Sequence, residues 1–285
     1  MGRDLGGVVI SASELLAIAH ESWLVVADCR FSLGDPDAGQ RAYAAGHLPG
    51  AVYAHLERDL SGPVVTGKTG RHPLPDPRVL ASKLSSWGLG REGALVAYDD
   101  SGGAFAARLW WLLRWLGFES AAVLDGGLPA WLSGGLPVVT EFPATRQGDF
   151  ALQLRPELVV GADEVERART RADRRVFDAR GLERFRGDSE PIDPVAGHIP
   201  GARPLPYGGN LESGRFREVS SLRERYGAAL GAVAPEHSIV YCGSGVTACH
   251  NVLAAAHAGF GGMRLYAGSW SEWITDPERL TARGD

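Results

Sequence analysis

The chain has 285 residues, 45% of them hydrophobic and 22% charged, enough to bury one large core or two ordinary ones. A net charge of -5 excludes a global basic field for nucleic acid or an anionic membrane, so an anionic ligand must be drawn by local groups. The three cysteines are too few and too scattered for a disulfide framework, and no C-x-x-C pair marks a zinc site.

In chain order, MGRDLGGVVISASELL lacks a secretory h-region with a small-residue cleavage site, and no apolar run further on reaches membrane-spanning length. A reducing, cytoplasmic setting is therefore expected. SASELLAIAH opens on Ser11 and carries Glu14 three positions later, a capping box ahead of a helix. LVVAD from Leu24 predicts a strand, ALVAYD from Ala94 another, AARLWWLLRWLG from Ala106 a buried helix closed by glycine, and AAVLDG from Ala121 a third strand. Trp110, Trp111 and Trp115 in that helix have the spacing of a buried face, core or domain contact rather than a ligand box. The stretch between the copies, about 136–160, is proline-bearing, without helical period, and reads as a surface linker. The pattern then begins again with GADEVERART, RVFDA, SIVYC, TACHNVLAAAHAG and MRLYAG.

Self-comparison shows a duplication. VVADCR from Val25 recurs as RVFDAR from Arg175, and GHLPGA from Gly46 as GHIPGA from Gly197. LVAYDDSG from Leu95 matches IVYCGSG from Ile239, and LDGGLPAWL from Leu124 matches LYAGSWSEWI from Leu265. Short apolar strands alternating with helices imply an α/β fold: in each copy a mainly parallel sheet with helices on both faces. His47 and His198 occupy the same place in the two copies, and a duplicated histidine is expected to be structural.

In parallel α/β sheets ligands bind beyond the carboxyl ends of the strands, and Cys242 sits at such an end. Gly243-Ser244-Gly245-Val246-Thr247 then turns tightly into a helix, and two glycines permit backbone conformations closed to other residues. Such a loop can gather N–H groups at one spot and add the positive end of the helix, favouring thiolate and an anionic adduct on its sulfur. Taken alone, C-G-x-G reads as well as a buried small hydrophobe followed by turn glycines. Asp99 holds the equivalent position in the first copy, where a carboxylate repels an anion and delivers no nucleophile. One active copy and one structural copy are expected, with Cys29 and Cys249 as packing residues.

Two tandem units with D-x-R, G-H-[IL]-P-G-A and a terminal G-x-W-x-E-W, the second with a cysteine loop reading CGSGVTA, resemble the rhodanese sulfurtransferases over nearly the whole chain. The resemblance implies a non-catalytic rhodanese-like domain over 8–140, a linker over 141–158 and a catalytic rhodanese-like domain over 159–285. It implies Cys242 as the persulfide-forming residue, with Gly243, Ser244, Gly245, Val246 and Thr247 around it, and no metal or organic cofactor. A small-molecule sulfur donor and a thiol acceptor such as thioredoxin, or cyanide, are the expected partners; nucleic acid and membrane are not. The dual-specificity phosphatases of the same fold have a loop one residue longer that ends in arginine; the loop here is short and has none, which disfavours phosphate esters.

C-G-[ST]-G-V-T resembles the members that take 3-mercaptopyruvate, whereas those that favour thiosulfate carry basic residues there. By the same resemblance Arg184 contacts the substrate, and His72 in GRHPLP forms a relay with Ser244, Asp59 being the nearest candidate for its carboxylate partner. Taken alone, Arg184 also reads as an exposed charge and His72 as an unpaired surface histidine. The second arginine of an E-P-R motif is replaced: the text is Glu190-Pro191-Ile192, with Arg186 the nearby candidate to compensate. Two other readings stay open: a catalytically silent rhodanese-like binding module, which has no need of a thiol in its loop, and a phosphatase-like hydrolase.

Overall fold

The computed structural model describes residues 3–144 and 146–285. The chain forms two compact units, the first of Met1–Gly62, Pro75–Arg155 and Gly214–Phe216, the second of Pro63–Leu74, Pro156–Ser213 and Arg217–Asp285. The segment Pro63–Leu74 lies in the first copy along the sequence yet is grouped with the second unit.

In the first unit the elements run β1 (Val9–Ile10), α1 (Ala12–Ile18), β2 (Leu24–Asp28), α2 (Ala38–Ala45), β3 (Val52–Tyr53), α3 (Pro77–Ser86), β4 (Ala94–Tyr98), α4 (Ala106–Trp115), β5 (Ala121–Leu124) and α5 (Gly127–Ser133). Ser11 caps α1 through its side chain and Glu14 bonds back, completing the capping box. The strands pair in parallel in the order β1-β5-β4-β2-β3. Every residue of β4 is buried, as a central strand covered on both faces requires. Leu15, Tyr43 and Trp131 pack with Val26, Val96 and Leu124 in one core cluster, and Trp110, Trp111 and Trp115 of α4 are buried. The end of the segment expected as a linker is tied to this unit, Gln153 N–H donating to the Leu116 carbonyl and Arg155 N–H to that of Trp115.

The second unit runs α6 (Ala162–Ala168), β6 (Arg175–Asp178), α7 (Leu182–Arg186), β7 (Arg203–Pro204), a short strand β8 (Leu211–Glu212), and then, after β9 (Arg215–Phe216) of the first unit, α8 (Val219–Leu230), β10 (Ser238–Tyr241), α9 (Thr247–His257), β11 (Arg264–Leu265) and α10 (Ser269–Trp273). Its parallel order β11-β10-β6-β7 repeats β5-β4-β2-β3 of the first sheet. An isolated parallel bridge from Val159 to Leu265 stands where β1 pairs with β5.

The repeated motifs build the same corner twice. Arg30 Nε and Nη2 grip the Asp28 carboxylate at 2.6 to 3.0 Å and Nη2 also reaches the Gly46 carbonyl, while Tyr98 Oη donates to Asp28 at 2.7 Å and accepts from Leu48 N–H. Arg180, Asp178, the Gly197 carbonyl and Ile199 N–H on Tyr241 Oη repeat these roles. Burial pushes the Tyr98 and Tyr241 hydroxyls up, and the adjacent aspartates push the same way. His47 stacks on Tyr43 at 3.9 Å with Nδ1 against the Tyr43 carbonyl; His198 does the same with Phe185 at 3.8 Å. Each histidine locks a turn to a closing antiparallel bridge, with Val139 and Ala282 respectively.

These buried ion pairs are expected to be costly to break from one side. Asp28→Ala leaves the Arg30 guanidinium buried without its carboxylate and lowers unfolding free energy by about 3 to 5 kcal/mol, read from the urea midpoint.

Candidate active site

Cys242 follows β10 and is buried. Its own N–H donates to Ser269 Oγ at 3.0 Å, and that hydroxyl donates to the Tyr266 carbonyl. The first residues of α10 grip the loop from the other side, Trp270 N–H on the Cys242 carbonyl and Ser271 N–H on the Gly243 carbonyl, both at 2.9 Å. With its carbonyls turned into these bonds the loop curls, and Gly245 N–H donates to Cys242 Sγ at 3.1 Å. Gly245 has φ of +77°, and a Cβ there would stand 2.3 Å from the Ala267 carbonyl oxygen, so both conformation and space require glycine. Thr247 opens α9, adding the positive end of an eleven-residue helix.

The equivalent loop of the first unit displays what such amides accept. The Asp99 carboxylate takes four backbone N–H groups, from Ser101, Gly103, Phe105 and Ala106, at 2.8 to 2.9 Å. Burial keeps its carboxyl above its ordinary value although those four amides pull it down. The expected contrast between the copies thus takes a specific form: the first loop holds an anion of its own.

Three arginines stand on a ladder of carboxylates, two of them, Arg71 and Arg184, beside the Cys242 loop. Asp178 holds Arg180; Glu190 receives Arg180 Nη1 at 3.2 Å and Arg184 Nε at 3.0 Å; Asp193 receives Arg184 Nη2 at 3.0 Å and pairs with Arg71 Nη1. Burial opposes the charge on Glu190, but the bonds from Arg184 and the Ile192 and Asp193 amides hold its carboxyl below its ordinary value. Burial keeps the Asp193 carboxyl above its ordinary value despite Arg71 and Arg184. A Cβ on Gly243 would stand 2.8 Å from Arg71 Nη2 and 3.5 Å from both terminal nitrogens of Arg184, so the guanidinium groups rest directly over the loop backbone.

His72 is buried with Nδ1 2.8 Å from Ser244 Oγ, which is also buried. The structure therefore brings Cys242, Ser244, His72 and Arg184 to one loop. Arg186 is elsewhere, exposed and paired with Asp285, and is not the second arginine there. Asp59 belongs to the first unit, where it bonds the His55 N–H and Lys83. Arg71 and Asp193 were not singled out by the sequence, although Arg71 adjoins His72; Ser269 and Ser271 were visible only as spacers in the terminal tryptophan motif. Cys249 is buried in α9 with its thiol donating to the Gly245 carbonyl, and Cys29 is buried behind β2.

Residues 11–133 and 161–276 each match the rhodanese-like domain, and the chain belongs to the rhodanese sulfurtransferase family. It is 51% identical over 279 residues to a probable 3-mercaptopyruvate sulfurtransferase of Pseudomonas aeruginosa, covering 97% of this chain and 98% of that one. It is 40% identical to a putative thiosulfate sulfurtransferase, SseB, of Mycobacterium tuberculosis, covering 98% of each. The solved 3-mercaptopyruvate sulfurtransferase of Leishmania major superposes with a TM-score of 0.82 at 31% identity, over 96% of this chain and 75% of that one.

Asp99→Asn removes the charge, leaves an acceptor oxygen for only two of the four amides and turns an NH2 donor toward the other two. The expected loss is about 1 to 3 kcal/mol of unfolding free energy, seen in denaturant titration of the purified chain.

Proposed function

We propose that the chain moves the thiol sulfur of 3-mercaptopyruvate to a thiol or cyanide acceptor, carrying it as the sulfane sulfur of a persulfide on Cys242, with thiosulfate as a poorer donor. The observation that carries this reading is the Gly245 N–H on Cys242 Sγ, in a loop whose counterpart holds a carboxylate with four amides. Amide donors fixed before the reaction stabilise negative charge on sulfur in the nucleophile and in the adduct alike. The relatives' names divide between the two donors, so the preference is argued from the site.

The Cys242 thiolate attacks the donor's thiol sulfur; an S–S bond forms, the C–S bond breaks, and its electron pair leaves on the methylene carbon as pyruvate enolate. That carbon needs a proton. Ser244 hydrogen-bonded to His72 is a proton-relaying pair beside the loop, which favours a carbon leaving group over sulfite, whose departure requires no proton. In the second half-reaction the acceptor attacks the outer sulfur, the S–S bond breaks and Cys242 thiolate returns; with cyanide the product is thiocyanate. Arg184 stands beside Gly243 with Nη1 outside its bonds to Glu190 and Asp193, and offers that nitrogen to the donor's carboxylate. Three buried free thiols accord with a reducing, cytoplasmic setting and a small thiol or a protein such as thioredoxin as acceptor.

Cyanolysis with either donor should yield thiocyanate, and Cys242→Ser should reduce it to background with the fold intact by circular dichroism. Thiocyanate formation that survives this substitution refutes the assignment. His72→Asn should lower kcat for 3-mercaptopyruvate by about 10²-fold or more while sparing thiosulfate turnover, because only the first donor needs the proton.

A further inference from the structure

Position 192 is isoleucine, about two-fifths exposed, and offers no charge to a ligand. A second guanidinium nevertheless reaches the loop from a different part of the chain. Gly70 lies against α10 where a Cβ would be 2.4 Å from the Gly268 carbonyl, and the next N–H, that of Arg71, donates to Ser271 Oγ at 3.1 Å. Ser271 N–H holds the Gly243 carbonyl, so the Arg71 backbone and the cysteine loop hang on the same turn of helix.

The side chain is fixed as well. Arg71 Nη1 pairs with Asp193, whose carboxylate is almost fully buried and also receives Arg184, so one carboxylate sets the spacing of the two guanidinium groups. Arg71 Nη2 approaches the Gly243 backbone, and Nε is buried with no hydrogen-bond partner among the described residues. A buried, unsatisfied guanidinium nitrogen is costly unless a ligand engages it. The arrangement leaves a planar fork anchored at one end and unsaturated at the other, beside an arginine already directed to the same loop.

We propose that Arg71 is a donor-binding residue: with Arg184 it holds the carboxylate of a short 2-oxo acid at the Cys242 loop, supplying from segment 63–74 the guanidinium that position 192 lacks. Asp193 is the positioning residue that spaces the pair. This rests on the sulfurtransferase reading for its chemistry, but the carboxylate site is testable without turnover. Because Arg71 precedes His72, which bonds Ser244, donor binding and proton supply are borne by adjacent residues of one segment.

The test compares wild type, Arg71→Ala and Arg71→Lys. Steady-state kinetics with 3-mercaptopyruvate and thiosulfate are paired with a ligand-observed NMR titration of pyruvate, a 2-oxo acid lacking the thiol. Arg71→Ala should raise KM for 3-mercaptopyruvate about 10- to 100-fold with a smaller change in kcat, change thiosulfate kinetics less, and weaken pyruvate binding. Arg71→Lys, which keeps the charge and the ion pair but loses the fork, should fall between. Full recovery by lysine, or a parallel loss with both donors, makes Arg71 a structural tether and overturns the proposal. Unchanged KM and unchanged pyruvate binding overturn it too. If wild type turns over neither donor, the sulfurtransferase reading fails; pyruvate binding lost in Arg71→Ala still supports the carboxylate site, and binding retained in the variant rejects it.

Discussion

A single hydrogen bond, from the Gly245 amide to the Cys242 sulfur, is the contact around which the second unit is arranged. It requires a loop tight enough to fold back on the residue it follows, and therefore glycine at a positive φ with the Ala267 carbonyl packed where a side chain would stand. It requires the loop carbonyls to be occupied elsewhere, which the amides of Trp270 and Ser271 at the start of α10 accomplish. A Cβ on Gly243 would meet the ends of the Arg71 and Arg184 side chains, which lie over that position. The terminal tryptophan motif is thus a clamp on the cysteine loop, with Trp270 itself buried beside Arg180 at 4.8 Å.

Duplication lets one frame be read against the other. The Asp-x-Arg corner, the buried tyrosine on it and the stacked histidine recur with nearly the same bonds, so they answer to the fold and not to chemistry. What differs is the residue after the fourth strand of the repeat. In the first unit a carboxylate occupies the amide loop and takes four N–H groups; in the second a thiol takes its place, and on the proposed function the bound anion arrives from a donor. On the proposed function the same backbone physics serves stability in one unit and sulfur chemistry in the other.

Most of the frame was legible because it is periodic. The capping box at Ser11 and Glu14, the all-buried strands at Ala94 and Ser238, and the tryptophan face of α4 each follow from local pattern. The cysteine loop was legible because strand, small residues and helix are contiguous. The arginine and carboxylate ladder was not. Arg71 and Asp193 are far apart in the chain, and nothing local tells an arginine held over a loop from one in solvent, as the exposed Arg186 shows. The grouping of Pro63–Leu74 with the second unit is likewise a matter of long-range packing that no periodicity records.

The account stands or falls on where the transferred sulfur rests. A crystal structure of protein treated with 3-mercaptopyruvate and frozen without acceptor tests this directly. The outer sulfur on Cys242 should lie within hydrogen-bonding reach of the loop amides, in the manner of the Asp99 carboxylate in its own loop. An outer sulfur turned away from those amides, or a donor-treated Cys242 that carries none, contradicts it.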